Sequence, residues 1–123
     1  MKFIVTICTF LFLLNCSSIA KPAANLPLTS SKDLKKKLNQ NPFLVDVRTS
    51  EEFAKGSAHG AVNIPLDEIQ NRISEFEGKK NIVTFCVTGK RSAKAISILK
   101  ENGITDAVSG IGLENVKKLQ EKN

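Results

Sequence analysis

A chain of 123 residues suits one domain with a real core and is too short for two. At 41% hydrophobic and 24% charged, its composition is that of an ordinary globular protein. The formal charge of +6 comes from Lys and Arg spread along the chain, and seven Phe with no Tyr or Trp leave few stacking platforms, so no nucleic-acid partner is expected.

The amino terminus has one basic residue, Lys2, and then an apolar stretch from Phe3 to Leu14. About a dozen apolar residues fall short of the roughly twenty that span a bilayer. A basic start with a short apolar core describes a secretory signal peptide. The cysteine directly behind it, in "LLNC", resembles a bacterial lipobox, where Cys16 is lipidated and becomes the first mature residue. The expected organisation is a signal peptide over 1–15, a lipidated tether over 16–26 and a folded domain over 27–123. The protein is then exported, as a periplasmic or membrane-anchored lipoprotein.

The tether, "SSIAKPAANLPL", is rich in Ser, Ala and Pro, and its last residues can form a short first strand. Ser30-Ser31-Lys32-Asp33 reads as a capping box with Asp in place of Glu, opening a helix that carries Lys35-Lys36-Lys37 and turns Leu34 and Leu38 to one face. Asn41-Pro42 stops it. "FLVDV" is an apolar strand interrupted only by Asp46, "TSEEFAKG" a short capped helix ended by Gly56, and "GAVNIP" a brief strand. Asp67 is placed to cap a helix with Ile69, Ile73 and Phe76 as its stripe, ended by Gly78. "NIVTFC" is the second buried strand, and residues 91–102 form a helix with Ala93, Ile96 and Leu99 on one face. "DAV" is a last short strand, and Leu113, Val116 and Leu119 mark the final helix. Strands alternating with helices at this spacing imply an α/β domain with a mostly parallel sheet of about five strands and helices on both faces.

Ligands of such sheets bind at the carboxyl ends of the strands, where Asp46 and Cys86 both fall. Cys8 lies in the discarded segment and Cys16 carries lipid, so Cys86 is the only free thiol of the expected mature chain. No internal disulfide can form, and the ligands are too few for a zinc site. One reading is a buried cysteine acting as a small hydrophobe. Its place between a strand and a helix, in "CVTGKRS", argues for a reactive one. The helix start supplies amides and partial positive charge, Gly89 lets the backbone curl, and Lys90 and Arg91 add cations. Together they make an anion cradle around a nucleophilic sulfur.

"CVTGKRS" also matches the active-site loop of the single-domain rhodaneses, Cys-x-x-Gly-x-Arg followed by Ser. "LVDVRTSEEFAKG" and "GAVNIP" resemble that family's Asp-Val-Arg…Glu-Phe…Gly and Gly-Ala…Asn-Ile-Pro segments, in the family's order. The chain therefore resembles a thiosulfate-type sulfurtransferase over about residues 27 to 121. The resemblance implies Cys86 as the nucleophile that becomes a persulfide, with Val87, Thr88, Gly89, Lys90 and Arg91 binding the substrate. It implies a monomer with no metal or organic cofactor. The donor is a small thiosulfate-like molecule, the acceptor a thiol or a sulfur-accepting protein.

Two positions depart from the family pattern. Ser57 stands where His is usual, and "SGIGLENV" replaces the usual Gly-Gly and Trp. The single histidine, His59, reads as surface or local packing. Asp46 and Arg48 read as structural, with Arg48 pairing with Glu52. Rhodanese-fold phosphatases and arsenate reductases have a longer loop, Cys-x5-Arg, whereas four residues separate Cys86 from Arg91. A non-catalytic or redox-sensing module is the remaining alternative, although such modules often lack the cysteine.

Overall fold

The computed structural model describes residues 29–122. The expected signal peptide, Cys16, the tether and the short first strand lie outside the described residues. Among those described, no helix is long and apolar enough to cross a membrane.

Among the described residues four parallel strands, against about five expected, form one sheet in the order β2-β1-β3-β4: β1 is Phe43–Asp46, β2 Val62–Asn63, β3 Ile82–Cys86 and β4 Ala107–Gly112. The helices are α1 (Ser31–Leu38), α2 (Ser50–Ala54), α3 (Lys90–Glu101) and α4 (Leu113–Glu121), with a 3-10 helix over Leu66–Glu75. Side-chain alternation along the strands sorts the core into two layers. Leu44, Val83 and Phe85 pack with Leu34 and Leu38 of α1 and Val116 and Leu119 of α4. Val45, Val47, Ile82 and Cys86 face the other way, onto Ile69, Phe76 and the α3 residues Ala95, Ile96 and Leu99. Both faces are covered, which is why β3 is buried from end to end.

Local signals account for most boundaries. The Ser30 hydroxyl accepts the Asp33 N–H at 3.1 Å and donates to the Asp33 carboxylate at 2.6 Å, opening α1. Thr49 and Glu52 form a full capping box at α2. Three elements differ from expectation. The segment after Pro65 is a 3-10 helix, not an α-helix capped by Asp67. No side chain caps its first turn, the Glu68 N–H bonds the Pro65 carbonyl at 2.9 Å, and Arg72 breaks the helix at φ −120°. The inward stripe of α3 is Ser92, Ala95, Ile96 and Leu99, with Ala93 only half-buried. Ser92 takes a core position because its hydroxyl is satisfied there by Gly89 and Ser109.

Strand β4 runs six residues instead of three, because its glycines are packing residues and not breakers. A Cβ on Gly110 would come within 2.9 Å of the Val116 side chain. One on Gly112 would lie 2.1 Å from the Val87 carbonyl oxygen. The end of β4 is thereby pressed against the loop that follows β3.

Candidate active site

Cys86 ends β3, and the chain turns through Val87, Thr88 and Gly89 into α3. The turn depends on Gly89, which adopts φ +96°, a region costly for any residue with a side chain. In this conformation the Gly89 N–H donates to Cys86 Sγ at 3.0 Å. On the other side the sulfur faces the Ile111 carbonyl at 3.7 Å, a partner for the thiol proton. The sulfur sits in a nearly closed position, with Cys86 only 1% exposed. Burial pushes the thiol up, but hydrogen bonds from the Ser92, Gly89 and Arg91 backbone and from the Ser92 side chain outweigh it and hold Cys86 below the ordinary thiol value. The arrangement favours the ionised form of a thiol placed at the start of a helix.

The loop is braced from behind. Ser92 donates to the Gly89 carbonyl at 3.0 Å and shares a 2.6 Å hydrogen bond with Ser109 of β4. Ser109 in turn accepts the Ile111 N–H at 3.1 Å. These bonds tie the glycine turn to the strand that carries the carbonyl opposite the sulfur.

Arg91 is not free to reach across the cradle. Its guanidinium makes a two-pronged contact with the Glu52 carboxylate, at 2.7 and 3.1 Å. That pairing holds Glu52 down to a pKa of about 2. Glu52 also accepts the Thr49 N–H, so one carboxylate closes the α2 cap and anchors the cysteine loop. The expected pairing of Arg48 with Glu52 is therefore corrected: Arg48 pairs with Asp46 instead. Arg48 lies in a bend just past β1, where the Asp46 carboxylate accepts its backbone N–H at 3.0 Å and meets the guanidinium of the same residue. Lys90 and Thr88 are exposed, and Lys90 makes no ion pair among the described residues. Val87 points outward at 54% exposure.

Beside the loop, at the end of β1, lies a second polar group. The Asp46 carboxylate is fully buried and accepts from Arg48 N, Nε and Nη2 and from the Ser57 hydroxyl, at 2.7–3.0 Å. Arg48 Nη2 also reaches the Gly56 carbonyl at 2.7 Å. His59 is exposed and exchanges backbone hydrogen bonds with the Gln120 side chain.

This order of elements, with a cysteine loop at the carboxyl end of the third strand, has counterparts. Residues 30–118 match the Rhodanese-like domain family. The chain belongs to that family. Its rhodanese domain is 35% identical over 74 residues to the thiosulfate sulfurtransferase PspE of Escherichia coli, covering 58% of this chain and 71% of that protein. It is 32% identical over 89 residues to the putative sulfur carrier protein YrkF of Bacillus subtilis, covering 71% of this chain but only 48% of that protein. Among solved structures, a rhodanese-like domain protein from Staphylococcus aureus superposes with a TM-score of 0.60 at 37% identity, over 71% of this chain and 86% of that one.

Within the rhodanese domain, sequence reasoning missed Glu52 as the partner of Arg91, the Ser92–Ser109 link and the position of Ile111. Ile111 stands out. Among the described residues three non-glycine residues have positive φ, and two are asparagines, which tolerate it. The third is Ile111, at φ +71°. A β-branched residue held there costs about 1–3 kcal/mol.

Proposed function

We propose that the protein is a sulfurtransferase that moves sulfane sulfur from thiosulfate, or a similar donor, to a thiophilic acceptor through a persulfide on Cys86. The observation that carries this reading is the Gly89 amide on the Cys86 sulfur at 3.0 Å, in a loop whose donors favour the thiolate. The thiosulfate sulfurtransferase activity in the name of the Escherichia coli relative supports it.

In the first half-reaction the Cys86 thiolate donates an electron pair to the outer sulfur of thiosulfate. A new S–S bond forms, the donor's S–S bond breaks, and sulfite leaves with that bond's electron pair. Cys86 now ends in a terminal sulfur carrying one negative charge. The backbone amides of Gly89, Arg91 and Ser92, at the start of α3, would hold that charge, an oxyanion-hole-like role. In the second half an acceptor nucleophile (cyanide in an assay, a thiol or a sulfur-accepting protein otherwise) attacks the terminal sulfur and returns the electron pair to the Cys86 thiolate. Exposed Lys90 is the cation available to a dianionic donor. Arg91, held by Glu52, acts as the brace that keeps the amides converged.

The four-residue interval between Cys86 and Arg91 suits one added sulfur better than a tetrahedral oxyanion. Steady-state assay with thiosulfate and cyanide should give thiocyanate with parallel double-reciprocal lines, as a two-step transfer requires. Aryl phosphates should not be hydrolysed. Phosphatase turnover without thiocyanate production would sink the reading.

We further propose export through a signal peptide over residues 1–15 and anchoring of the domain to a membrane by lipid on Cys16. The sequence supports this with Lys2, the apolar run and the cysteine behind it. The full chain should partition into detergent, and Cys16→Ala should move it to the soluble exported fraction. Unchanged partition would remove the anchor and leave the chemistry untouched.

A further inference from the structure

We infer that the Ile111 side chain is a specificity-determining wall over Cys86, one that admits slender sulfur compounds and turns away broad ones. This deepens the sulfur-transfer reading and rests on it for the identity of the substrates. Glycine would satisfy φ +71° without strain, yet the chain holds a β-branched residue there. The backbone conformation therefore does not explain the isoleucine, and its side chain must be sought a use.

The surroundings of that side chain supply one. It is 43% exposed, so it is not there to fill the core. Its Cγ2 lies 3.1 Å from where a Cβ on Gly89 would stand, so it rests against the residue whose amide holds the sulfur. Its own carbonyl is the group facing Cys86 Sγ at 3.7 Å. Across the loop Val87 is exposed as well, and its carbonyl is locked against Gly112, the residue next to Ile111. Ile111 and Val87 are two of the three large exposed hydrophobics among the described residues, the other being Val62. Both flank a cysteine that is itself 1% exposed. An apolar rim offers nothing to an anionic donor by attraction. What it does is narrow the approach. A terminal sulfur on a thin stem, such as thiosulfate or an unbranched thiol, can enter end-on, whereas a sulfur beside a ring or a quaternary carbon meets the isoleucine.

The test is alkylation of Cys86, which needs no sulfur donor and so stands apart from whether a persulfide forms. Full-length wild type, Ile111→Ala and Ile111→Gly are treated at one pH with iodoacetamide (narrow) and N-phenylmaleimide (broad), and the Cys86 adduct is quantified by peptide mass. The ratio of the two rates cancels any change in thiolate fraction. Both variants should raise the broad-to-narrow ratio by about tenfold or more, the scale on which a pocket wall discriminates. Ile111→Ala removes the wall while keeping a Cβ at positive φ, and Ile111→Gly removes wall and strain together. A ratio that stays at the wild-type value in both variants overturns the inference. So does a rise in Ile111→Gly alone, which would assign the effect to backbone strain. Persulfide discharge by penicillamine relative to cyanide should rise in the same two variants.

Discussion

Cys86→Ser is expected to fold as the wild type does and to lose thiosulfate-to-cyanide transfer by at least about a thousandfold, the scale seen when a nucleophile is removed. The serine oxygen can still accept the Gly89 N–H, the contact the sulfur makes at 3.0 Å. Its effect on stability should be that of an ordinary point change, about 1 kcal/mol. Chemistry is where the substitution tells. A hydroxyl is not ionised by a few amides near neutral pH, and an oxygen cannot carry a sulfane sulfur through repeated turnover. Steady-state rates and unfolding curves on the same preparation separate the two effects. Substantial retained turnover would take Cys86 out of the mechanism.

Asp46→Ala should damage the protein in the opposite way, through stability. The substitution removes the acceptor for three Arg48 nitrogens and for Ser57, all at 2.7–3.0 Å. The Arg48 side chain is 8% exposed and would keep only the Gly56 carbonyl as a partner. The hydrogen bonds that Arg48 donates to Asp46 raise the Arg48 pKa against the pull of burial, so the guanidinium stays charged and would be left unpaired. Breaking a buried pair from one side costs about 3–5 kcal/mol. At roughly 4–8 °C per kcal/mol, the melting temperature should fall by on the order of 15 °C or more. Adding Arg48→Met should recover part of the loss, because the stranded charge goes too. A loss under about 1 kcal/mol, the value of an exposed pair, would show that the group is not the buried anchor described.

The legible parts of this protein were those written in short-range chemistry. Thr49 and Glu52 sit three apart and cap α2, Ser30 opens α1, and the apolar runs around Leu44 and Phe85 became strands covered on both faces. The cysteine loop was legible for the same reason, since strand, glycine turn and helix start are contiguous. What escaped depends on distant segments meeting. Glu52 and Arg91 are 39 positions apart, and no local pattern links them. The Arg48–Asp46 pair could have been found, since an aspartate side chain readily accepts the backbone N–H two residues on and so meets the side chain there. The continuation of the last strand beyond "DAV" was not legible, because the Val116 and Val87 atoms that demand Gly110 and Gly112 lie outside any sequence window. The left-handed backbone of Ile111 is the extreme case, because residue type argues against it and only the packing of β4 on the loop imposes it.

The central claim is that Cys86 carries the transferred sulfur, and intact mass with peptide mapping tests it most directly. After thiosulfate treatment and removal of excess donor, the chain should gain the mass of one sulfur atom, mapped to Cys86 and released by cyanide or dithiothreitol. A folded, reduced chain whose mass thiosulfate leaves unchanged at Cys86 would contradict the account.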